Sequence, residues 1–368
     1  MVLSTRIDEL ARQAGFSTAG IAAVPEPGSA EDDAERARFA GWVDDGRAGE
    51  MEYLKRRDEA GHLLRSSVRV ALPWARSVIV CTANYNSAEP RSIDPAPNGT
   101  AWIARYAWSS SKTENGNRPS DYHKVLLRRL EHLRDALLAE TGNFESRCFV
   151  DTGPVVERVY ARYAGIGWIG KNTCILNQKL GSWLFLGVIV TSLDVSNEQP
   201  AILAEDRCGS CTRCIDACPT NALTAPREMD ATRCIAYLTI EKRGEIPEDL
   251  RAPIGRQIFG CDICQDVCPW NRRAPIAVDP ELNPRQQLVN PALDWLAAMD
   301  EPTFERWFNG SPVRRAKWGG FRRNLAIAMG NSKQHQYQPT LEQWAADTDP
   351  VVAEAARWAM KNLRRDES

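Results

Sequence analysis

Leu3, Ile7, Leu10 and Ala14 recur at helical spacing, and Gly15 ends the helix they predict. The run Ser77-Val-Ile-Val-Cys-Thr82 has the length and β-branched content of a buried strand. Gly28 to Arg47 is charged and predicts surface, and Glu89 to Thr100, rich in Pro, Ser and Asn, predicts a loop. The clearest helix spans about Asp121–Glu140, with Leu126, Leu130, Leu133 and Leu137 as its stripe, Ser120 as its cap and Thr141-Gly142-Asn143 as its stop. A short strand, Cys148-Phe149-Val150, then delivers Asp151 to its carboxyl end. A helical segment from Pro154 to Ala164, a Gly-rich turn and an apolar strand from Trp183 to Thr191 follow. This alternation predicts an α/β layered unit over residues 1–205.

From about residue 290 the pattern is helical only. Phe321, Leu325, Ala328 and Met329 share one face before Gly330-Asn331. Asp349 caps a second helix with Pro350 at its first position and Val352, Ala355, Ala359 and Leu363 as its stripe. Two such helices look like one unit of an α-solenoid, which must dock on the rest of the chain to be stable. The expected parts are residues 1–205, a cysteine-rich block at 206–275 and a helical part at 276–368, an α+β multidomain chain.

With 368 residues, 43% hydrophobic and 26% charged, wholesale disorder is excluded. Lys plus Arg (46) nearly balances Asp plus Glu (48), which excludes a globally basic nucleic-acid binder but not a local basic patch. Trp183–Val190, the longest strongly apolar stretch, is far short of the roughly 20 residues of a membrane span. Asp8 and Glu9 follow the amino terminus at once with no apolar segment, so no secretion signal is read and a cytoplasmic protein is expected.

Eight of the eleven cysteines fall between Cys208 and Cys268. Cys208-x2-Cys211-x2-Cys214-x3-Cys218-Pro219 is the bacterial ferredoxin run, in which three thiolates of one loop hold a cubane cluster and the fourth serves another. The second half, Cys261-x2-Cys264-x3-Cys268-Pro269, has Ile258 where its first cysteine should stand, and Cys234 is the one cysteine left to fill the set. Counting gives Cys208, Cys211, Cys214 and Cys268 to one [4Fe-4S] cluster, and Cys218, Cys234, Cys261 and Cys264 to the other. A pair of zinc knuckles is the alternative reading of Cys-x2-Cys. Cys81, Cys148 and Cys174 read as small core residues, and His123 and His132 as ordinary helix histidines without a ligand pattern.

Several motifs together resemble the epoxyqueuosine reductase family. They are Asp151-Thr-Gly-Pro-Val-Val-Glu-Arg158, Ala164-Gly-Ile-Gly-Trp-Ile-Gly-Lys-Asn172, Gly181-Ser-Trp183, Arg233-Cys-Ile-Ala-Tyr-Leu-Thr-Ile-Glu-Lys242 and Gly260-Cys-Asp-Ile-Cys-Gln-Asp-Val-Cys-Pro-Trp-Asn271, with Arg105-Tyr106 and Asp121-Tyr-His-Lys124 in agreement. The resemblance implies a cobalamin-dependent enzyme that reduces the epoxide of epoxyqueuosine at the tRNA wobble position to queuosine. It implies a nitroreductase-like cobalamin domain, a two-cluster ferredoxin-like module and a HEAT-like helical domain, working as a monomer with an unidentified low-potential electron donor and no membrane.

By the same resemblance Asp151 is the proton donor, and Lys171, Asn172 and Ser182 neighbour the cobalamin. Arg65 joins them by its distance before Leu72-Pro73, although Glu59–Val70 lacks the family's Arg-x-Asp-Pro pattern. Read without the family, Asp151 is a helix N-cap ahead of Pro154, and the glycines of 165–170 form a plain turn. Arg314, Arg315, Lys317, Arg322 and Arg323 form a run without acids that suits tRNA phosphates, with Lys242 and Arg243 nearer the cofactor; a solvated basic face is the plainer reading. Two other functions compete: a corrinoid reductive dehalogenase, and a non-catalytic iron–sulfur electron-transfer subunit.

Overall fold

The apolar runs assemble into a four-stranded sheet. A computed structural model describes residues 3–113 and 116–364, with side chains outside 112–118. Strands β1 (Thr18–Ala23), β2 (Ser77–Asn84), β3 (Ser146–Phe149) and β4 (Leu184–Thr191) lie in the order β1-β2-β4-β3. Every neighbouring pair is antiparallel. Helix and strand do alternate in layers, but hydrophobic period reveals only that a strand is covered, never which strand it pairs with.

β2 and β4 are central and covered on both sides, which explains their unbroken apolar runs. Ile79, Cys81 and Ile189 face α1 (Leu3–Gln13) and α3 (Tyr122–Thr141), where Ile7, Leu10, Leu126, Leu130, Leu133 and Leu137 pack. Val78, Val80, Val188 and Val190 point the other way, onto Tyr160 and Ala161 of α4 (Glu157–Tyr163). The charged stretch after Gly28 forms helix α2 (Ala30–Asp44), whose N-cap Ser29 accepts from the Asp32 amide.

Three local expectations shift by a few residues. The cap of α3 is Asp121, not Ser120: its carboxylate accepts from the His123 amide, and a charged acceptor suits the positive end of a helix. α4 starts at Glu157 rather than Pro154, so Asp151 stands in a loop and caps nothing. The carboxyl-terminal part has three principal helices, α5 (Lys317–Ser332), α6 (Gln338–Ala345) and α7 (Pro350–Arg364). Asp349 caps α7 as expected, accepting from the Val351 amide at 3.0 Å. A Cβ on Gly330 would stand 2.8 Å from the Ala359 Cα, so only glycine lets α5 and α7 approach this closely.

One core runs through Trp102, Trp108, Leu238, Phe259, Phe304, Phe321, Leu325 and Leu363. It crosses both expected boundaries, near 206 and 276, and draws in the segment 101–108 from the amino-terminal part. Gln257–Phe259 pairs in parallel with Trp102–Ile103, and Asn283–Pro284 pairs with Ser109–Ser110. The cysteine block is thus bolted to its neighbours by backbone pairing as well as by apolar packing. No described helix is long and apolar enough to cross a membrane.

Candidate active site and cysteine centres

The eight clustered cysteines influence one another mainly in two groups. Burial raises Cys214, and the thiols of Cys208 and Cys211 push it further. Cys268, lifted to about 11 chiefly by burial, feels Cys208 and Cys214. In the other group burial lifts Cys261, with repulsion from Cys234 and Cys218; Cys264 is lifted by its hydrogen bond with Cys174, by burial, and by Cys261 and Cys234. These mutual influences run along the two sets that counting predicts, and two four-thiol sets are what a pair of [4Fe-4S] clusters would take; among the described residues no group of three or more His, Cys, Asp or Glu side chains is gathered as a metal site. Cys174, read from sequence as packing, is a close neighbour of the second set.

Local structure explains the placements. Arg213–Asp216 and Ile263–Asp266 are single helical turns that lead to Cys218 and Cys268, the last cysteine of each motif. Gly260 holds φ 69°, and a Cβ there would meet the Ala104 Cβ at 2.5 Å, so the turn into Cys261 demands glycine. Cys234 ends the turn Ala231–Arg233 and opens the helix Ile235–Ile240. Burial raises the Cys234 thiol, and the amides of Ala236 and Tyr237 beside its sulfur pull against that rise.

The three residues expected beside a cobalamin all reach the cysteine loops. Lys171 donates to the Gly209 carbonyl at 2.7 Å, and buried Asn172 to that of Cys264 at 3.3 Å. Buried Ser182 accepts through Oγ from Asn271 and Gln265. The Gly-rich turn itself is a close backbone crossing: a Cβ on Gly167 would stand 2.0 Å from the Leu176 carbonyl of the paired strand Ile175–Leu176.

Asp151 sits elsewhere, at the end of β3, with a backbone φ of 56° and a half-exposed side chain. The Tyr122 hydroxyl donates to its Oδ2, and the His123 imidazole lies 3.9 Å from the same oxygen. The Tyr122 ring is clamped between Phe185 (centroids 4.2 Å apart) and His123 (4.0 Å). His123 is in turn held by Asp121 at 2.8 Å. Arg65, the one expected cofactor residue found here, donates to the Asp151 carbonyl at 3.4 Å. Tyr106 joins the two regions: its ring meets that of Tyr122 edge-on at 6.0 Å and lies 6.0 Å from that of Phe259, two residues before Cys261; burial raises its hydroxyl.

Glu157, unremarked in the sequence, is the site's second carboxyl. Its Oε1 is buried with no hydrogen-bond partner among the described residues. Burial, aided by the charge of Asp151, pushes it up to about 7. A folded value above the unfolded 4.5 means the unfolded chain ionises first, so this group costs stability as pH rises from 4.5 to about 7. Glu157→Gln is therefore expected to gain stability over the parent across that interval and hold the gain above it. Thermal unfolding at about pH 5 and about pH 8 checks this, and a difference that does not change with pH refutes it.

The basic run is largely neutralised by acids that folding brings in. Arg314 pairs with Glu305, Arg315 with Glu241, Arg322 with Asp347 and Lys242 with Glu50. Arg323 is not an exposed cation at all. At 1% exposure it donates to the carbonyls of Leu238, Lys242 and Gly244, and burial pulls it down to about 10. Lys317 and Arg243 are exposed, with Arg243 donating to the carbonyls of Arg315 and Ala316.

Two ferredoxin-type cysteine motifs in a chain that also carries the Asp151 loop point to a class, the iron–sulfur oxidoreductases. Residues 207–271 match the family model described as a 4Fe-4S double cluster binding domain, and residues 65–152 the one described as epoxyqueuosine reductase QueG, DUF1730. Epoxyqueuosine reductase of Xanthomonas campestris is 40% identical over 97% of this chain and 95% of its own, and that of Escherichia coli 33% over 97% and 89%. The chain belongs to the epoxyqueuosine reductase family. A crystal structure of an epoxyqueuosine reductase with an epoxyqueuosine-modified tRNA-Tyr stem loop superposes with a TM-score of 0.82 at 29% identity, covering 98% of this chain and 90% of that one. A Bacillus subtilis epoxyqueuosine reductase described with its catalytic aspartate loop swung out of the active site gives 0.79 at 28%, covering 98% and 90%.

Proposed function

We propose that this chain reduces epoxyqueuosine in tRNA to queuosine, with Asp151 as proton donor, two [4Fe-4S] clusters and cobalamin. Opening an epoxide to an alkene consumes two electrons and two protons and releases water. The observation that carries the reading is the junction at Tyr106, which lies between the Asp151 loop and the second cysteine set. Family membership favours this reaction over a dehalogenase or a carrier subunit.

The residues around Asp151 suit a bound group. A half-exposed carboxyl, a buried Glu157 oxygen without a protein partner and an aromatic floor at Tyr122 give both polar and apolar contacts. Cobalamin, when bound, supplies a strongly nucleophilic low-valent metal centre. Within the chain, Tyr122 and His123 orient the Asp151 carboxyl, Arg65 fastens its backbone, and the carboxyl delivers a proton to the developing alkoxide. Lys171, Asn172 and Ser182 support the cluster loops, and through them the cofactor's surroundings.

The same reading gives residues 1–205 to a nitroreductase-like cobalamin unit, 206–275 to a ferredoxin-like module and 276–368 to a HEAT-like helical unit that grips the anticodon stem-loop, all in a cytoplasmic monomer. Phosphate contact then falls to Lys317 and Arg243 and, by exchange from their acids, to Arg314, Arg315, Arg322 and Lys242. Arg323 stands behind them. Arg323→Ala is expected to cost about 3–5 kcal/mol of stability, since the buried Leu238 carbonyl and the half-buried ones of Lys242 and Gly244 lose their donor. Arg314→Ala should cost under about 0.5 kcal/mol but weaken tRNA binding and lower its salt slope by about one. Denaturant unfolding and salt-dependent binding separate the two.

The deciding experiment is anaerobic reconstitution with iron, sulfide and cobalamin, then reductant and tRNA bearing epoxyqueuosine, with nucleosides read by mass spectrometry. Cobalamin-dependent loss of one oxygen from the modified base is expected. Bound cofactors without that mass change overturn the assignment.

A further inference from the structure

The two cysteine loops differ in exposure. Around the first set Arg207, Gly209, Ser210, Thr212 and Arg213 are all exposed, whereas between Cys261 and Cys268 no residue is. Lys171, Arg207 and Arg213 are the charged residues that line the space enclosed by the four cysteines of the first set. Exposed Arg227, Arg272 and Arg273 continue the positive rim. The acids nearby are engaged: Glu205 with Arg207, Asp206 with Arg227, and Asp216 accepting from the Thr212 hydroxyl. Arg272 and Arg273 pair with no acid among the described residues. In a chain of net charge −2 this is a local excess of cations.

Apolar side chains are exposed in the segments that enter and leave this block. Of seven large apolar residues exposed among the described ones, four are Ile202, Leu203, Ile276 and Val278. Chain length alone keeps Leu203 within about 20 Å of Cys208, and Ile276 within about 20 Å of Trp270, which lines that space. A cationic rim with a few exposed apolar groups is the surface of a short-lived, charge-steered complex.

We propose that this face is the docking site of a small acidic protein that carries one electron at a time. The inference rests on the two-cluster reading above. Each encounter oxidises the carrier by one electron and reduces the first cluster by one; two encounters supply the pair that epoxide reduction consumes. The chain order of entry is then the exposed first set, the enclosed second set and the Asp151 site beyond Tyr106.

The test uses the full chain with reconstituted clusters, and reads cluster bleaching by stopped-flow absorbance and cluster potential by spectroelectrochemistry. A reduced flavodoxin serves as the acidic carrier, and photoreduced deazaflavin as a small uncharged donor. The variant R272E/R273E is expected to slow bleaching by flavodoxin about tenfold or more and to leave the deazaflavin rate and the potential unchanged. In the parent the flavodoxin rate should fall steeply with added salt and the deazaflavin rate should not. An unchanged flavodoxin rate, or an equal loss with both donors, overturns the proposal; the second outcome assigns the arginines to the cluster itself. Turnover on modified tRNA is scored separately with deazaflavin, so a failure there counts against the proposed reaction and not against docking.

Discussion

Asp151→Asn is expected to lower turnover by about a hundred- to ten-thousand-fold while iron content and tRNA affinity stay at parental levels. The substitution is well matched to its place. Asparagine is among the few residues at ease at positive φ, so the loop at φ 56° keeps its path. The amide oxygen still accepts from the Tyr122 hydroxyl, and the Arg65 contact is to the backbone carbonyl, which the change leaves alone. What disappears is the acidic proton. Single-turnover mass spectrometry, with iron analysis and a tRNA-binding titration on the same preparations, separates these functions. Parental turnover in the variant would remove Asp151 from its role; joint loss of tRNA affinity would make it a binding residue.

Cys234→Ala is expected to lower bound iron from about eight to about four per chain and to stop electron delivery. Ile258, at the position where a ferredoxin repeat carries cysteine, is fully buried, and its carbonyl accepts from Asn324. It belongs to the core that joins the cysteine block to α5. Cys234 reaches the second set from another segment, with the amides of Ala236 and Tyr237 on its sulfur. Cys174, whose thiol hydrogen-bonds with Cys264, is the rival fourth ligand. Cys174→Ala should therefore keep about eight irons. Iron and sulfide analysis with electron paramagnetic resonance checks both variants, and the reverse result would exchange the two cysteines.

Motif spacing carried far at the cysteines because a cluster ligand set is local. Three thiolates on one loop need only a tight turn, so Cys208, Cys211 and Cys214 could be assigned from their intervals alone. The long helix and both central strands were legible for a similar reason: Leu126, Leu130, Leu133 and Leu137, or Val78 to Cys81, are neighbours in the chain. The surroundings of the basic run were not legible, for the opposite reason. Residues 311–323 contain no acid, yet Glu305, Glu241, Asp347 and Glu50 arrive from elsewhere, and Arg323 turns inward onto carbonyls. Glu157 had no sequence signal beyond its place in the Asp151 motif, because burial is a property of what packs around a side chain.

The sequence by itself determined the two ferredoxin-type cysteine motifs, the principal helices and buried strands, and, through its motifs, the family. Short-range spacing and periodicity are enough for each. Only the tertiary structure decided the antiparallel order of the sheet and the single core across the expected boundaries. It also decided the Tyr122–Asp151 contact, which spans 29 positions, and which arginines remain exposed. Those depend on burial and on charges brought together from distant parts of the chain, and no local pattern encodes either.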